Sequence, residues 1–228
     1  MIKTGLISFI FLLSINKAYS QQLSHVSFSS GSSLSHFAFT TDQGVLIRIS
    51  IEGNIIEWGT EIRATRGNYY APNLQPYMGK TEYYGAEADS IFRGKLKSIG
   101  TCYITYYGSY EQDEKPGKIK TIGNAFFDYY SRFEDKDLRG KIKMAGNQPF
   151  SFYSAFADEA YRGKLKSIGN TTIVYYSSFD DRLIRGKIKN IGPLTYSWYG
   201  SYDQSDYRGS LKSGAQRQNL GSVTYIIW

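Results

Sequence analysis

Residues 93–100 read RGKLKSIG, and residues 162–169 read the same eight letters again. Cut every 23 residues from Arg93, the chain yields blocks that begin RGKLKSIG (93), PGKIKTIG (116), RGKIKMAG (139), RGKLKSIG (162), RGKIKNIG (185) and RGSLKSGA (208). The identical octapeptides stand three periods apart. A fixed period of this length means stacked supersecondary units, each too small to bury its own apolar face alone. No other feature of the sequence restricts the fold as tightly.

The second half of each block agrees as well. It reads ITYYGSY at 104–110, FDYYSRF at 127–133, FSFYSAF at 150–156, IVYYSSF at 173–179 and YSWYGSY at 196–202, followed by a short acidic loop. One block is therefore a short strand, a glycine turn, a longer aromatic strand and a connection, which is a β-hairpin passing to the next hairpin. The expected fold is all-β: a repetitive antiparallel hairpin meander whose sheet is elongated, curled or partly closed. Upstream, VLIRISIEGN (45–54) and GNIIEWG (53–59) echo the pattern, and Tyr83-Tyr84-Gly85 falls one period before Tyr106-Tyr107-Gly108. Residues 21–92 read as a divergent β region carrying an irregular, proline-containing loop at 62–80, and residues 93–228 as the tandem repeats. The last block departs from the pattern at Gly214, as an end unit with one missing neighbour is expected to.

With each block numbered from its Arg or Pro, Lys occupies positions three and five, Ile or Leu four, Gly eight, and aromatics fourteen, fifteen and eighteen. Alternate residues of a strand face opposite ways. A three-residue loop at positions eight to ten would set four opposite fourteen, and six opposite twelve. In the block from Pro116 that joins Ile119 to Tyr129 and Thr121 to Phe127 on one face, with Lys118 beside Tyr130 and Lys120 beside Asp128 on the other. The apolar pattern favours this odd loop, because register follows the buried face; a bulge near position seven would shift it. The expected result is a greasy face that must be covered and a Lys–Tyr face open to water. That second face would hold Lys95, Lys97, Tyr107, Lys118, Lys120, Tyr130, Lys141, Lys143, Tyr153, Lys164, Lys166, Tyr176, Lys187, Lys189 and Tyr199. Equivalent lysines then lie two strands apart, roughly 9.5 Å, where salt largely screens their repulsion. Cation–π attraction would add roughly 0.5–1 kcal/mol per good contact. The row stands without a ligand, and it is also the candidate binding surface.

The pattern G-K-I-K-x-I-G…Y-Y-x-x-F-[DE] resembles the Tyr-Asp repeats of Rhs-type bacterial surface and toxin-shell proteins, Phe179-Asp180 with Gly186 being the nearest match. The period is similar to that of MORN repeats, whose Tyr-x-Gly-x-x-x-x-Gly core is absent here. The resemblance covers about 93–213. It implies secreted, non-enzymatic β-repeat scaffolding and transfers no catalytic residue.

The opening MIKTGLISFIFLLSINKAYS reads as a secretory signal peptide over residues 1–20: a lysine, an apolar core, then Ala18-Tyr19-Ser20 as a small-x-small cleavage site. The apolar run is shorter than the roughly 20 residues that span a bilayer, and no later stretch reads as a membrane helix. Loss of Lys3 and Lys17 with no acid lowers the formal charge from +7 to +5. That is well short of a nucleic-acid binder's stripe; a mildly basic exported protein more readily meets anionic or glycan polymers, or another envelope protein. The lone Cys102 permits no internal disulfide and reads as a small apolar strand residue.

Chemistry is sparse. His25 and His36, the only histidines, read as ordinary surface residues, and no metal-ligand or phosphate-binding motif stands out, so no cofactor is expected. The acids that recur in each block (Glu111 and Asp113, Glu134 and Asp135, Asp158 and Glu159, Asp180 and Asp181, Asp203 and Asp206) read first as turn caps and partners for Lys and Arg of the next unit. Arg93, Arg139, Arg162, Arg185 and Arg208 form a further row, matched to those acidic loops. The expected function is a cell-surface or periplasmic binding or scaffold module. Two alternatives stay open: a small outer-membrane β-barrel, and a secreted hydrolase whose site lies near the 62–80 loop.

Overall fold

The structure, a computed structural model, describes residues 21–61, 73–112 and 114–228. The expected leader, most of the 62–80 loop and Asp113 lie outside the described residues. Strands β1 (Gln22–Ser29), β2 (Ser33–Thr40), β3 (Val45–Ile49), β4 (Ile55–Glu61) and β5 (Leu74–Gln75) come first. Then follow β6 (Thr81–Tyr83), β7 (Leu96–Ile99), β8 (Cys102–Tyr106), β9 (Ile119–Ile122), β10 (Ala125–Tyr129), β11 (Ile142–Ala145), β12 (Gln148–Phe152), β13 (Leu165–Ile168), β14 (Thr171–Tyr175), β15 (Ile188–Ile191) and β16 (Leu194–Thr195). Last come β17 (Ser197–Trp198), β18 (Leu211–Ser213), β19 (Arg217–Leu220) and β20 (Val223–Ile227). The protein is all-β, and its repeat is a run of consecutive antiparallel hairpins.

Strands β6 to β16 form one open eleven-stranded sheet in chain order, and β17 pairs with β18. A second, seven-stranded sheet runs β19-β20-β1-β2-β3-β4-β5. The terminal strands β19 and β20, grouped with the repeats by sequence position, belong to this second sheet, where β20 lies parallel to β1. Strand β6, upstream of the first full block, belongs to the repeat sheet. The two sheets share one core: Phe37 meets Phe150 at 5.1 Å and Phe39 meets Phe127 at 5.0 Å between ring centroids. The N-terminal region is thus the cover that the greasy face of the repeats requires.

The register differs from the expected one. Each hairpin turns on two residues: Ile122 faces Ala125 and Thr121 faces Phe126 across Gly123-Asn124. Gly123 has φ +53, the positive value a two-residue hairpin of the II′ kind demands at its first loop position. Between blocks, Thr105 faces Thr121 but Tyr106 faces Ile119, so Lys120 is an extra, bulged residue. The same skip recurs at Lys97, Lys143, Lys166, Lys189 and Lys212. A one-residue bulge reverses the alternation of faces. Positions four and seven therefore both point inward, as at Ile142 and Ala145, and the even turn keeps its apolar face. Thr121, expected inward, lies on the outer side and shares a 2.7 Å hydroxyl–hydroxyl hydrogen bond with Thr105.

Turns of the cover sheet reach into the repeat sheet. Because of the bulge, the position-four amide is turned out of the ladder. The Ile119 amide donates to Gly53 O (3.2 Å), that of Ile142 to Ile51 O (2.8 Å), and that of Ile188 to Gly31 O (2.7 Å). Buried N–H groups need such partners, so the bulge that sets the register also creates the docking points for the second sheet.

Candidate functional site

The expected Lys–Tyr face separates into two rows. Position-five lysines project from their bulges over the position-fifteen tyrosine of the preceding block. Lys120 lies 5.2 Å from the centre of the Tyr107 ring, Lys143 5.3 Å from Tyr130, Lys166 5.8 Å from Tyr153, and Lys189 5.4 Å from Tyr176. The neighbouring Lys97 forms an ion pair with Glu82 (3.9 Å), and Lys212 covers Tyr199 at 5.1 Å. The tyrosine hydroxyls are engaged as well: Tyr107 donates to Phe127 O (2.8 Å), Tyr130 to Phe150 O (3.0 Å), Tyr153 to Ile173 O (2.9 Å) and Tyr176 to Tyr196 O (3.1 Å). Burial, with Asp128 and Glu111 nearby, pushes the Tyr107 hydroxyl up to about 12. These rings are roofed by lysine, tied to the next block and at most partly exposed, so they act first as structural ladders.

The position-three lysines do not join that row. Lys118 lies 5.0 Å from the ring centre of Tyr129, an inward residue of its own block, and donates to Gly140 O (2.6 Å). Lys141 does the same with Phe152 and Gly163 O, Lys164 with Tyr175 and Gly186 O, and Lys95 with Tyr106 and Gly117 O. Lys187 sits 4.4 Å from the Trp198 ring and donates to Ser30 O (3.0 Å) in the cover sheet. Burial lowers the pKa of all five, and that of Lys164, with Lys187 beside it, reaches about 8.

The acids act as turn caps and inter-block clamps. Asp158 accepts from the Ala160 amide (2.8 Å), and from both the amide and the hydroxyl of Ser178 in the next block (3.1 and 2.8 Å). Asp89 and Asp181 repeat this with Ser109 and Ser201, and in the next block Asp135 accepts from the Ala155 amide alone (2.7 Å). Glu111, Glu134 and Asp203 pair with Lys120, Lys143 and Lys212. Arg93, Arg139, Arg162 and Arg208 reach the acidic loop through its backbone, each donating to the carbonyl five residues earlier.

The most exposed ring of each block stands at position eighteen. Tyr110, Phe133, Phe156, Phe179 and Tyr202 are 98, 81, 99, 96 and 100% exposed. They stand once per block, on the connecting loops; an Asp clamp holds the residue before Tyr110, Phe156, Phe179 and Tyr202, and the Arg132 guanidinium lies 5.0 Å from the centre of the Phe133 ring. A shallow groove of about 600 Å³ lies between the last two, lined by Phe179, Asp180, Asp181, Arg182, Ser201 and Tyr202. No family model, curated protein or solved structure matches the chain. The sequence marks position eighteen as aromatic, and its pattern points to the Lys–Tyr face as the candidate surface. The overlooked signal was an aromatic recurring inside an acidic loop, where a core residue has no place.

The histidines are not ordinary surface residues. Both are half-buried on the outer side of the cover sheet, in a cluster that does not repeat: Arg48 pairs with Glu57 (2.6 Å), Arg217 with Glu61 (3.2 Å), and His25 Nε2 lies 3.7 Å from Glu61. Burial, then the nearby Arg48, lowers His36 to about 4, and burial also lowers His25. Ser24 Oγ lies 3.0 Å from His25 Nδ1 but donates its proton to Ala38 O (3.1 Å), the reverse of a hydroxyl handing its proton to a base. Among the described residues no three His, Cys, Asp or Glu side chains are placed to hold a metal ion. Cys102 is buried and its thiol is pushed up to about 11, chiefly by burial, which suits a packing residue.

Proposed function

We propose that this protein is an exported, non-enzymatic β-repeat module that binds or scaffolds polymers at a cell surface or in the periplasm. The observation that carries the reading is the array itself: five consecutive blocks present an exposed aromatic ring at the same loop position, above blocks hydrogen-bonded to their neighbours. Repetition of one weak contact suits a repetitive partner, whereas a catalytic group is needed once. The open sheets and the repeat strands of two to five residues also favour this reading over an outer-membrane barrel, which requires closure and strands of about 9–11 residues.

The test is fractionation of cells expressing the full chain, followed by co-sedimentation of the exported protein with isolated envelope material. Recovery outside the cytoplasm together with sedimentation supports the module. Retention in the cytoplasm, or export with no association to any envelope fraction, removes it.

A further inference from the structure

We infer that the position-eighteen row, Tyr110, Phe133, Phe156, Phe179 and Tyr202, is a stacking track for one extended β-1,4-linked glycan chain; this rests on the polymer-binding reading above. Three observations select that ligand. The first is exposure: four of the five rings are at least 96% exposed, and an aromatic ring left wholly in water is an unused apolar face. Their position-fourteen and position-fifteen counterparts are buried or roofed by lysine in the same blocks, so exposure belongs to the position and not to aromatic abundance.

The second observation is pitch. Successive blocks are offset by two strands, roughly 9.5 Å along the sheet. A β-1,4-linked pyranose chain is a flat ribbon in which every second sugar presents the same face, and its disaccharide repeat is of comparable length. One ring per block therefore meets one sugar per disaccharide, in step along the row.

The third is the chemistry beside the rings. Tyr110, Phe133, Phe179 and Tyr202 are each followed directly by an acid, and Phe156 by Ala157 and then Asp158; in the groove between Phe179 and Tyr202 both Asp180 Oδ1 and the Arg182 guanidinium make no hydrogen bond within the described residues. An acceptor and a donor flanking a ring suit a ligand with C–H faces and hydroxyl edges. A lipid surface would meet a carboxylate beside four of the five rings, and a folded protein partner would want a contiguous apolar patch with charges kept to its rim.

The experiment is calorimetric titration of the exported protein with cello- and chito-oligosaccharides, from the disaccharide to the decasaccharide. Affinity is expected to rise with each added disaccharide as successive rings engage. The Phe156→Ala/Phe179→Ala pair should lower affinity for the longest chain at least about tenfold, and Phe156→Tyr/Phe179→Tyr should retain it. Both pairs lie on exposed loops, so unchanged thermal melting confirms an intact fold. Absence of binding, affinity independent of chain length, or an alanine pair that binds like the parent overturns the inference. So does alanine-sensitive binding to phosphatidylglycerol vesicles without oligosaccharide binding, or alanine-sensitive self-association. Envelope sedimentation that survives the alanine pair leaves the broader function standing while removing this track; loss of sedimentation by the parent removes both.

Discussion

The amide of Ile142 donates to the carbonyl of Ile51 across 2.8 Å, joining the centre of the repeat sheet to a turn of the cover sheet. Ile51 occupies the β3–β4 turn and Ile142 the position just before a bulged lysine. Two residues on, Gly53 bonds the equivalent amide of Ile119, so one turn serves two successive blocks.

This contact makes Gly53 more sensitive to substitution than Gly44 of the β2–β3 turn. It has φ +85, and a Cβ there would overlap the Tyr129 ring. Gly53→Ala is expected to cost about 2–4 kcal/mol, from a left-handed backbone plus overpacking. Gly44→Ala, at φ +73 with open space around it, should cost only about 1 kcal/mol. Urea unfolding of the two variants compares them, and equal losses would show that the turn does not dock.

Hydroxyls at position fourteen should divide by partner. Tyr129 donates to Ile119 O at 2.8 Å, whereas the buried Tyr175 hydroxyl has no hydrogen-bond partner among the described residues. Tyr129→Phe is expected to cost about 1 kcal/mol, and Tyr175→Phe to be neutral or stabilising by a similar amount. Phe152 already fills this position in the intervening block. Chemical denaturation of both variants supplies the comparison.

Acid should loosen the stack. Hydrogen bonds from the next block and from their own turns hold Asp89, Asp135, Asp158 and Asp181 below the ordinary carboxylate value of 3.8. A depressed folded pKa contributes stability above the unfolded value, and that stability is lost as pH falls through the folded value. The melting temperature should therefore drop below about pH 4, and Asp158→Asn should show a smaller acid-dependent drop. Melting curves from pH 2 to 6 decide the matter.

Alkali should act in the opposite sense over a defined window. Lys164 has a folded pKa of about 8 against an ordinary 10.5, through burial first and Lys187 second. Between those values the unfolded chain binds more protons, so stability rises with pH. Above pH 10 the unfolded tyrosines ionise while the buried ones, Tyr107 and Tyr196 at about 12 among them, do not, and stability falls. Lys164→Met should raise stability near pH 7 and flatten the rise between pH 8 and 10; an unchanged profile would mean that Lys164 stays fully charged in the fold.

Much of the frame was legible before any coordinates. The period, the hairpin unit, the inward Ile119 and Tyr129, and the capping role of the acids all follow from composition at fixed block positions. Strict alternation predicts the wrong register because the strand breaks it: Lys120 and its equivalents are bulged, so a two-residue turn plus one bulge keeps positions four, twelve and fourteen inward while position seven replaces position six. The site was half legible. Tyr107 and Tyr130 looked like open rings because nothing local reveals that a lysine one block later lies over them.

By itself the sequence determined a stack of aromatic hairpins with one apolar side, since a repeated local pattern can stabilise only a repeated local structure. Tertiary structure decided which aromatics stay in water, where β19 and β20 go, and how the apolar side is closed. Those outcomes depend on contacts between residues far apart in the chain, such as Ile51 with Ile142. A 23-residue pattern carries no information about them, because each block reads alike whether or not a second sheet lies against it.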